Sequence, residues 1–466
     1  MSLRRRQSSV FIIAGWLVLT GFTGGSRAVR PAVGDLRVLS IALNDFGSDF
    51  DGQWQGITVA SDGNCYFASS THSDRHGAGF FRYDPVRKKL IVLARDMTAI
   101  CGEDLRQSRQ GKIHSPIVEN EGWLYFATHL ANYWPEAEAA YPGAHVLGFE
   151  LKTGKFRDFG VLKKGFSIYS FVNVDPARRC LYVVSTPFRE SDIRTDGCHV
   201  FRIDIASGRT TDLGLAKRGK HGSFWSFVDN RGDLWFTFWR DNAGDLYCLR
   251  AETDKIEKFP GVLPGAELAF GGGASTNQRD RGWTWAAALP GRRQCLFTMG
   301  CYDDGDERLW IFDPAGDVAS GAAFRAVHEV GPVFLSLALA GDRVYFIQRG
   351  DPASARGWWA EAHRDDPVGA AGGTEDLHLR SVSIDPQAGR PVTDYGRIVD
   401  RDGRTPRSID SLAADAEGRV FMVGDWHILP GDKGTMQIEW QTPAREFKKV
   451  GRGQFFAFAD VSKNPE

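Results

Sequence analysis

Two histidines, a tyrosine and an arginine supply the residue types that proton transfer beside a negative charge requires: His114, His129, Tyr169 and Arg189. An imidazole exchanges a proton near neutral pH, a phenol can donate to a departing oxygen, and a guanidinium fork neutralises a carboxylate bidentately. Taking a proton from the carbon next to a carboxylate needs all three functions, because the carbanion forms beside charge already present. The residues leave open whether His114 or Tyr169 is the base. A single histidine at a strand end is ordinarily a surface or turn residue, so these four matter only if the fold converges them.

The elements that would do so form a repeat. Each unit has a short apolar strand, an Asp/Asn/Gly turn, a second strand with an aromatic, a third ending near Asp, and a fourth after a polar turn. Asp175-Pro176, Leu181-Tyr182-Val183, Phe201-Arg202-Ile203-Asp204, Ser207-Gly208 and Thr211-Asp212-Leu213-Gly214 make up one such unit. With Trp54, His114, Tyr169, Trp225, Trp285, Phe334 and Ile409 as first-strand markers, the spacings are 60, 55, 56, 60, 49 and 75. Two hairpins per unit at this period predict an all-β fold, a seven-bladed β-propeller over residues 36–461. The long last interval is an insertion around Ala353 to Asp376 that reads as a loop. The seventh unit ends with its third strand, Phe455 to Asp460, so Leu36 to Leu43 is expected to supply the fourth and close the ring.

In a propeller the start of each first strand and the end of each second strand meet at one rim. The starts are Trp54, His114, Tyr169, Trp225 and Trp285; the ends are His72, His129, Arg189, Arg240, Cys301, Arg349 and His427. A funnel lined by Arg and His favours an anionic ligand, and aromatic faces suit sugar rings. Arg240 and Trp225 are candidate substrate contacts, although the Trp residues more often serve as packing between blades, because aromatics bury large areas. Tyr133 and Trp134 join them, on an Ala131 to Ala144 extension that directly follows His129.

Gly111-Lys112-Ile113-His114-Ser115-Pro116, Tyr125-Phe126-Ala127-Thr128-His129, and Ile168-Tyr169-Ser170 before Asp175-Pro176 together resemble the seven-bladed propeller polysaccharide lyases of the ulvan lyase type. The specific part of the likeness runs from Gly111 to Arg189. It implies that His114, His129 and Tyr169 carry out elimination on a uronate, with Arg189, in Ser185-Thr186-Pro187-Phe188-Arg189, the nearest match to the family's carboxylate-binding arginine. The implied activity is that of an exported lyase acting on an anionic polysaccharide, with no cofactor needed for the chemistry. Arg189 lies a few residues further along than the family pattern places its arginine.

Composition narrows the alternatives. A net charge of −1 with no basic stripe argues against nucleic acid. Aromatics at 12% and 53 glycines suit twisted antiparallel sheet with tight turns. Arg4-Arg5-Arg6, the 13-residue apolar run Val10 to Phe22 and Ser26-Arg27-Ala28 read as a cleaved signal peptide over residues 1–28, with an uncleaved anchor as the alternative; cleavage leaves a secreted or periplasmic monomer without a stable membrane span. The seven cysteines form no C-x-x-C pair, and Cys65, Cys180, Cys248 and Cys295 fall in strand patterns, where a thiol acts as a small hydrophobe. A structural zinc would draw on Cys301, Asp303 and Asp304 with His221 or His427. A structural calcium would draw on Asp303, Asp304, Asp306 and Glu307, without EF-hand spacing. Lys163-Lys164 and Lys217 to Lys220 read as solvated turns. Two further classes stay open: a non-catalytic propeller binding glycan or protein through the same rim, and a metal-dependent hydrolase or lactonase, which would need converging Asp, Glu or Asn ligands.

Overall fold

The computed structural model describes residues 34–104, 108–239, 243–264, 282–291, 293–299, 308–330, 337–350, 376–385, 391–438 and 446–463. The expected signal peptide, the core of the Ala353 to Asp376 insertion, Phe334, Arg240, Cys301, and the Asp303, Asp304, Asp306 and Glu307 cluster lie outside them. The described chain is an all-β propeller. Among the described residues no helix is long and apolar enough to cross a membrane.

The third unit shows how sequence sets local structure. Its strands are Val172–Asp175, Cys180–Ser185, Gly197–Asp204 and Thr210–Arg218, hydrogen-bonded in that order. Asp175 ends the first by accepting the Arg178 amide at 3.1 Å, an Asx-type turn. Asp204 does the same for Ser207 at 2.7 Å, and Gly208 takes the left-handed conformation that closes the next turn. The second strand, Cys-Leu-Tyr-Val-Val-Ser, is buried throughout because neighbouring units cover both faces, which explains its unbroken apolar run. The fourth strand mixes exposed and half-buried residues, as an outer edge should.

Five units of this kind stand as separate four-stranded sheets, starting at Ile57, Val118, Val172, Ser226 and Trp283. The remaining strands form one eight-stranded sheet, so the expectation of seven separate blades is corrected to five blades and a fused sheet. The fusion has a specific cause. In the N-terminal strand Asp35–Ala42, residues 35–38 pair parallel with 397–400, while Leu39 to Ala42 pair antiparallel with Phe458 to Phe455. One strand thus covers two edges, that of Thr393–Asp400 and that of Arg452–Asp460. The expected partnership between the N-terminal segment and the last strand is present, and a second one accompanies it.

Apolar clusters lie between consecutive units. Tyr66 and Phe80 meet Phe126 and Phe149 between the first and second, and Phe67 and Tyr83 meet Phe421, Phe456 and Phe458 where the end of the chain returns to its beginning. The Phe67 and Phe456 rings stack at 4.7 Å. First strands approach one another between the second and third, third and fourth, and fourth and fifth units, and Pro406–Ala414 approaches both Ile57–Val59 and Leu337–Ala340. Cys65, Cys101, Cys180, Cys198, Cys248 and Cys295 are buried free thiols.

Candidate active site

Four isolated backbone bridges continue the pairing of first and second strands at one rim: Gly52 with Ser70, Lys112 with His129, Ser167 with Thr186, and Gly222 with Trp239. Two residues beyond the first member of each bridge stand Trp54, His114, Tyr169 and Phe224. Four consecutive units thus present a ring at the same register. The fourth-unit position expected for Trp225 belongs to Phe224. Trp225 falls one residue past it, contacts Trp285 at 6.4 Å, and lines a cavity of about 860 Å³ with Pro116, Phe171, Asn173 and Ala286. That cavity runs along the first strands toward their far ends at Asp175 and Asp229.

His114, His129 and Tyr169 meet. Ring centroids are 5.1 Å apart for the two histidines, 5.0 Å for His114 and Tyr169, and 5.1 Å for His129 and Tyr169. Trp54 stacks on His114 at 4.8 Å with planes 8° apart, and Phe224 lies at 6.0 Å. His129 is tethered at both nitrogens, Nδ1 lying 2.6 Å from Ser167 Oγ and Nε2 3.0 Å from the Tyr133 hydroxyl. His114 differs: its buried Nδ1 has no hydrogen-bond partner. The imidazoles are more enclosed than an open rim predicts, with His129 at 0% and His114 at 6% exposure, because Trp54, Tyr133, Phe188 and Phe224 wall them in. Tyr169 remains half-buried.

Enclosure sets the electrostatics. Burial, then Lys112 and His72, holds the His114 pKa well below the ordinary 6.5; burial, then His114, Lys112, Lys220 and His72, does the same for His129. Both are therefore neutral at pH 7. Lys112 is itself fully buried, donating from Nζ to the carbonyls of Leu130, at 3.1 Å, and Ala131, and lying 4.1 Å from the centre of the Tyr133 ring. Burial pulls its pKa well down, opposed by Asp51. His72 gives Nδ1 to the buried Asp51 carboxylate at 3.1 Å and approaches Trp54 and Tyr133 edge-on.

No protein-family model and no curated protein matches this chain. Solved structures with similar coordinates include an oligogalacturonate lyase from Vibrio parahaemolyticus, at 9% identity and TM-score 0.49, covering 93% of this chain and 98% of that one. A GH74 enzyme from Niastella koreensis is 12% identical at TM-score 0.49, with 81% of this chain spanning 52% of that one. A periplasmic gluconolactonase from Pseudomonas aeruginosa is 14% identical at TM-score 0.42, covering 78% and 97% respectively.

Arg189 is not at the site. It donates from Nε to Glu138 O at 3.2 Å and from Nη2 to Tyr141 O at 3.1 Å, fastening the short helix Pro135–Ala140. The residue that reaches the rings is its neighbour Phe188, 5.0 Å from His129 and 5.9 Å from Tyr169. A one-residue step along extended chain reverses the side-chain direction, so the two residues face opposite ways. Tyr133 is at the site, against His129 and stacked with Phe188 at 5.5 Å. Trp134, half-buried, precedes the helix. Lys220, taken from sequence as a solvated turn residue, places Nζ 3.9 Å from the Phe188 ring centre and 5.3 Å from that of Tyr133. Ser167, Phe188, Phe224 and Lys220 were missed. The shared spacing in Gly52-Gln53-Trp54, Lys112-Ile113-His114, Ser167-Ile168-Tyr169 and Gly222-Ser223-Phe224 is the signal that finds Ser167 and Phe224. Among the described residues no group of three or more His, Cys, Asp or Glu side chains is arranged to hold a metal.

Proposed function

We propose that this propeller is an exported polysaccharide lyase that cleaves uronate-containing, ulvan-like glycans by β-elimination at His114, His129 and Tyr169. The observation that carries the reading is the mutual approach of these three rings, with centroids within 5.1 Å of one another, from three segments that flank the strands of two units. In the reaction the C5–H electron pair becomes the C4–C5 double bond, and the C4–O pair leaves with the glycosidic oxygen. A neutral imidazole is the right state to receive, directly or through a neighbouring hydroxyl, the proton equivalent that leaves C5, and the Tyr169 hydroxyl donates to the leaving oxygen. With Arg189 fastened elsewhere, Lys220 is the cation beside the site rings that can neutralise the carboxylate. The step as written uses no metal. We read the scaffold as seven four-stranded units, the fused sheet being two of them joined through Asp35–Ala42.

The full enclosure of His129 favours a second reading, a rim that binds glycan without turnover. Incubation with a panel of uronate polysaccharides, with and without chelator, separates the two. The lyase reading expects ultraviolet absorbance from unsaturated ends to rise irrespective of chelator. Binding without any new ends supports the second reading.

A further inference from the structure

The hydrogen bonds of His129 settle how it can take part in an elimination. Its Nδ1 faces Ser167 Oγ at 2.6 Å, and that oxygen also accepts the Leu130 amide at 3.2 Å. Its Nε2 faces the Tyr133 hydroxyl at 3.0 Å, and the imidazole is completely buried. With both nitrogens engaged and no exposed edge, His129 meets a substrate only through a neighbour. Tyr133 is that neighbour: it is half-buried, and its ring is held by stacking on Phe188 at 5.5 Å. Lys112 supports the same arrangement, bonding the carbonyls of Leu130 and Ala131 just before Tyr133 and lying against its ring. The Lys220 ammonium, 5.3 Å from the ring centre, favours negative charge developing on the phenol oxygen.

We infer that Tyr133 is a further catalytic residue, the group that takes the substrate proton, with His129 and Ser167 forming a relay behind it. The inference rests on the elimination reading above. The C5 proton passes to the Tyr133 oxygen as the hydroxyl proton of Tyr133 passes to His129 Nε2. Nδ1–H meanwhile donates to Ser167, so His129 becomes an imidazolium and Tyr133 stays a neutral phenol. Tyr169 gives its proton to the leaving oxygen and becomes a phenolate. The proton held at His129 Nε2 then passes back to the Tyr133 oxygen as that phenol gives its own proton to solvent water, the Tyr169 phenolate takes a proton from solvent, and the site is reset. Burial, which disfavours a charged His129, drives this return.

The test compares Tyr133→Phe, Ser167→Ala and Tyr169→Phe with the parent, using the most active polysaccharide of the panel and ¹⁵N spectra of the histidine side chains. Tyr133→Phe keeps the stacking face. It is expected to lower kcat by about 100-fold or more, the usual share of a general acid or base, with KM little changed and the His129 Nε2 resonance shifted. Ser167→Ala, a positioning change, should lower kcat less and displace the acid limb of the pH profile. Parent-like turnover and an unshifted Nε2 resonance in Tyr133→Phe, with Tyr169→Phe inactive, overturn the relay alone. Full activity in Tyr169→Phe overturns the elimination reading, and the relay with it.

Discussion

Burial fixes the charge states on which this site depends, and pH makes that measurable. His114 and His129 have folded-state pKa values well below 6.5, so below about pH 6.5 the unfolded chain binds protons that the folded chain refuses. The stability tied to their neutral state is therefore complete above that pH and is lost on acidification. Each contributes a slope of up to about 1.4 kcal/mol per pH unit. His114→Gln should flatten the fall in unfolding free energy between pH 7 and 5, read from denaturant titrations. Asp410 behaves in the opposite sense. It is buried and faces Asp425, and these two influences, outweighing Ser408 and Arg452, raise its pKa to about 8. The folded state then prefers the protonated acid, so stability is fullest below about pH 4 and is lost as pH rises toward 8. Asp410→Asn should melt higher than the parent at pH 9 and level with it at pH 4. Equal melting temperatures at pH 9 would contradict the assignment.

At the scale of elements, the N-terminal strand Asp35–Ala42 joins two edges that would otherwise be open, which makes it a structural member and not a tail. Removing residues 35–42 should lower the melting temperature by several degrees and promote aggregation, seen by thermal scan and size-exclusion chromatography. An unchanged melt would show that the edges need no cover. The repeat, its turns and this partnership were legible because they rest on local signals: Asp and Gly at turns, apolar runs in second strands, and a missing fourth strand. The double pairing of the N-terminal strand was not, since no pattern in eight residues announces a switch from parallel to antiparallel partners. His114, His129 and Tyr169 were legible for the same local reason, each standing at a fixed offset in its unit. Arg189 was misread by one residue, and in extended chain one residue separates a side chain at the rings from one directed elsewhere; for Trp225 the packing alternative is the one present, against the clusters of neighbouring units. Lys220 looked like a solvated charge because its neighbours Phe188 and Tyr133 lie far from it along the chain.

Across the whole molecule, apolar clusters link each unit to the next and the last to the first, so the rim ring positions are held by packing on every side. That rigidity keeps three titratable rings in contact with little motion required, which is what positioned acid and base groups need. The central claim is that this preorganised trio eliminates across the C4–C5 bond of a uronate. The most direct measurement is the proton spectrum of oligosaccharides released from a uronate polysaccharide by the parent and by Tyr169→Phe. The account predicts vinylic H4 signals and no H5 on the new non-reducing ends, with Tyr169→Phe releasing at least about 100-fold less product in the same time. Saturated ends that retain H5, or a Tyr169→Phe variant as active as the parent, would contradict it.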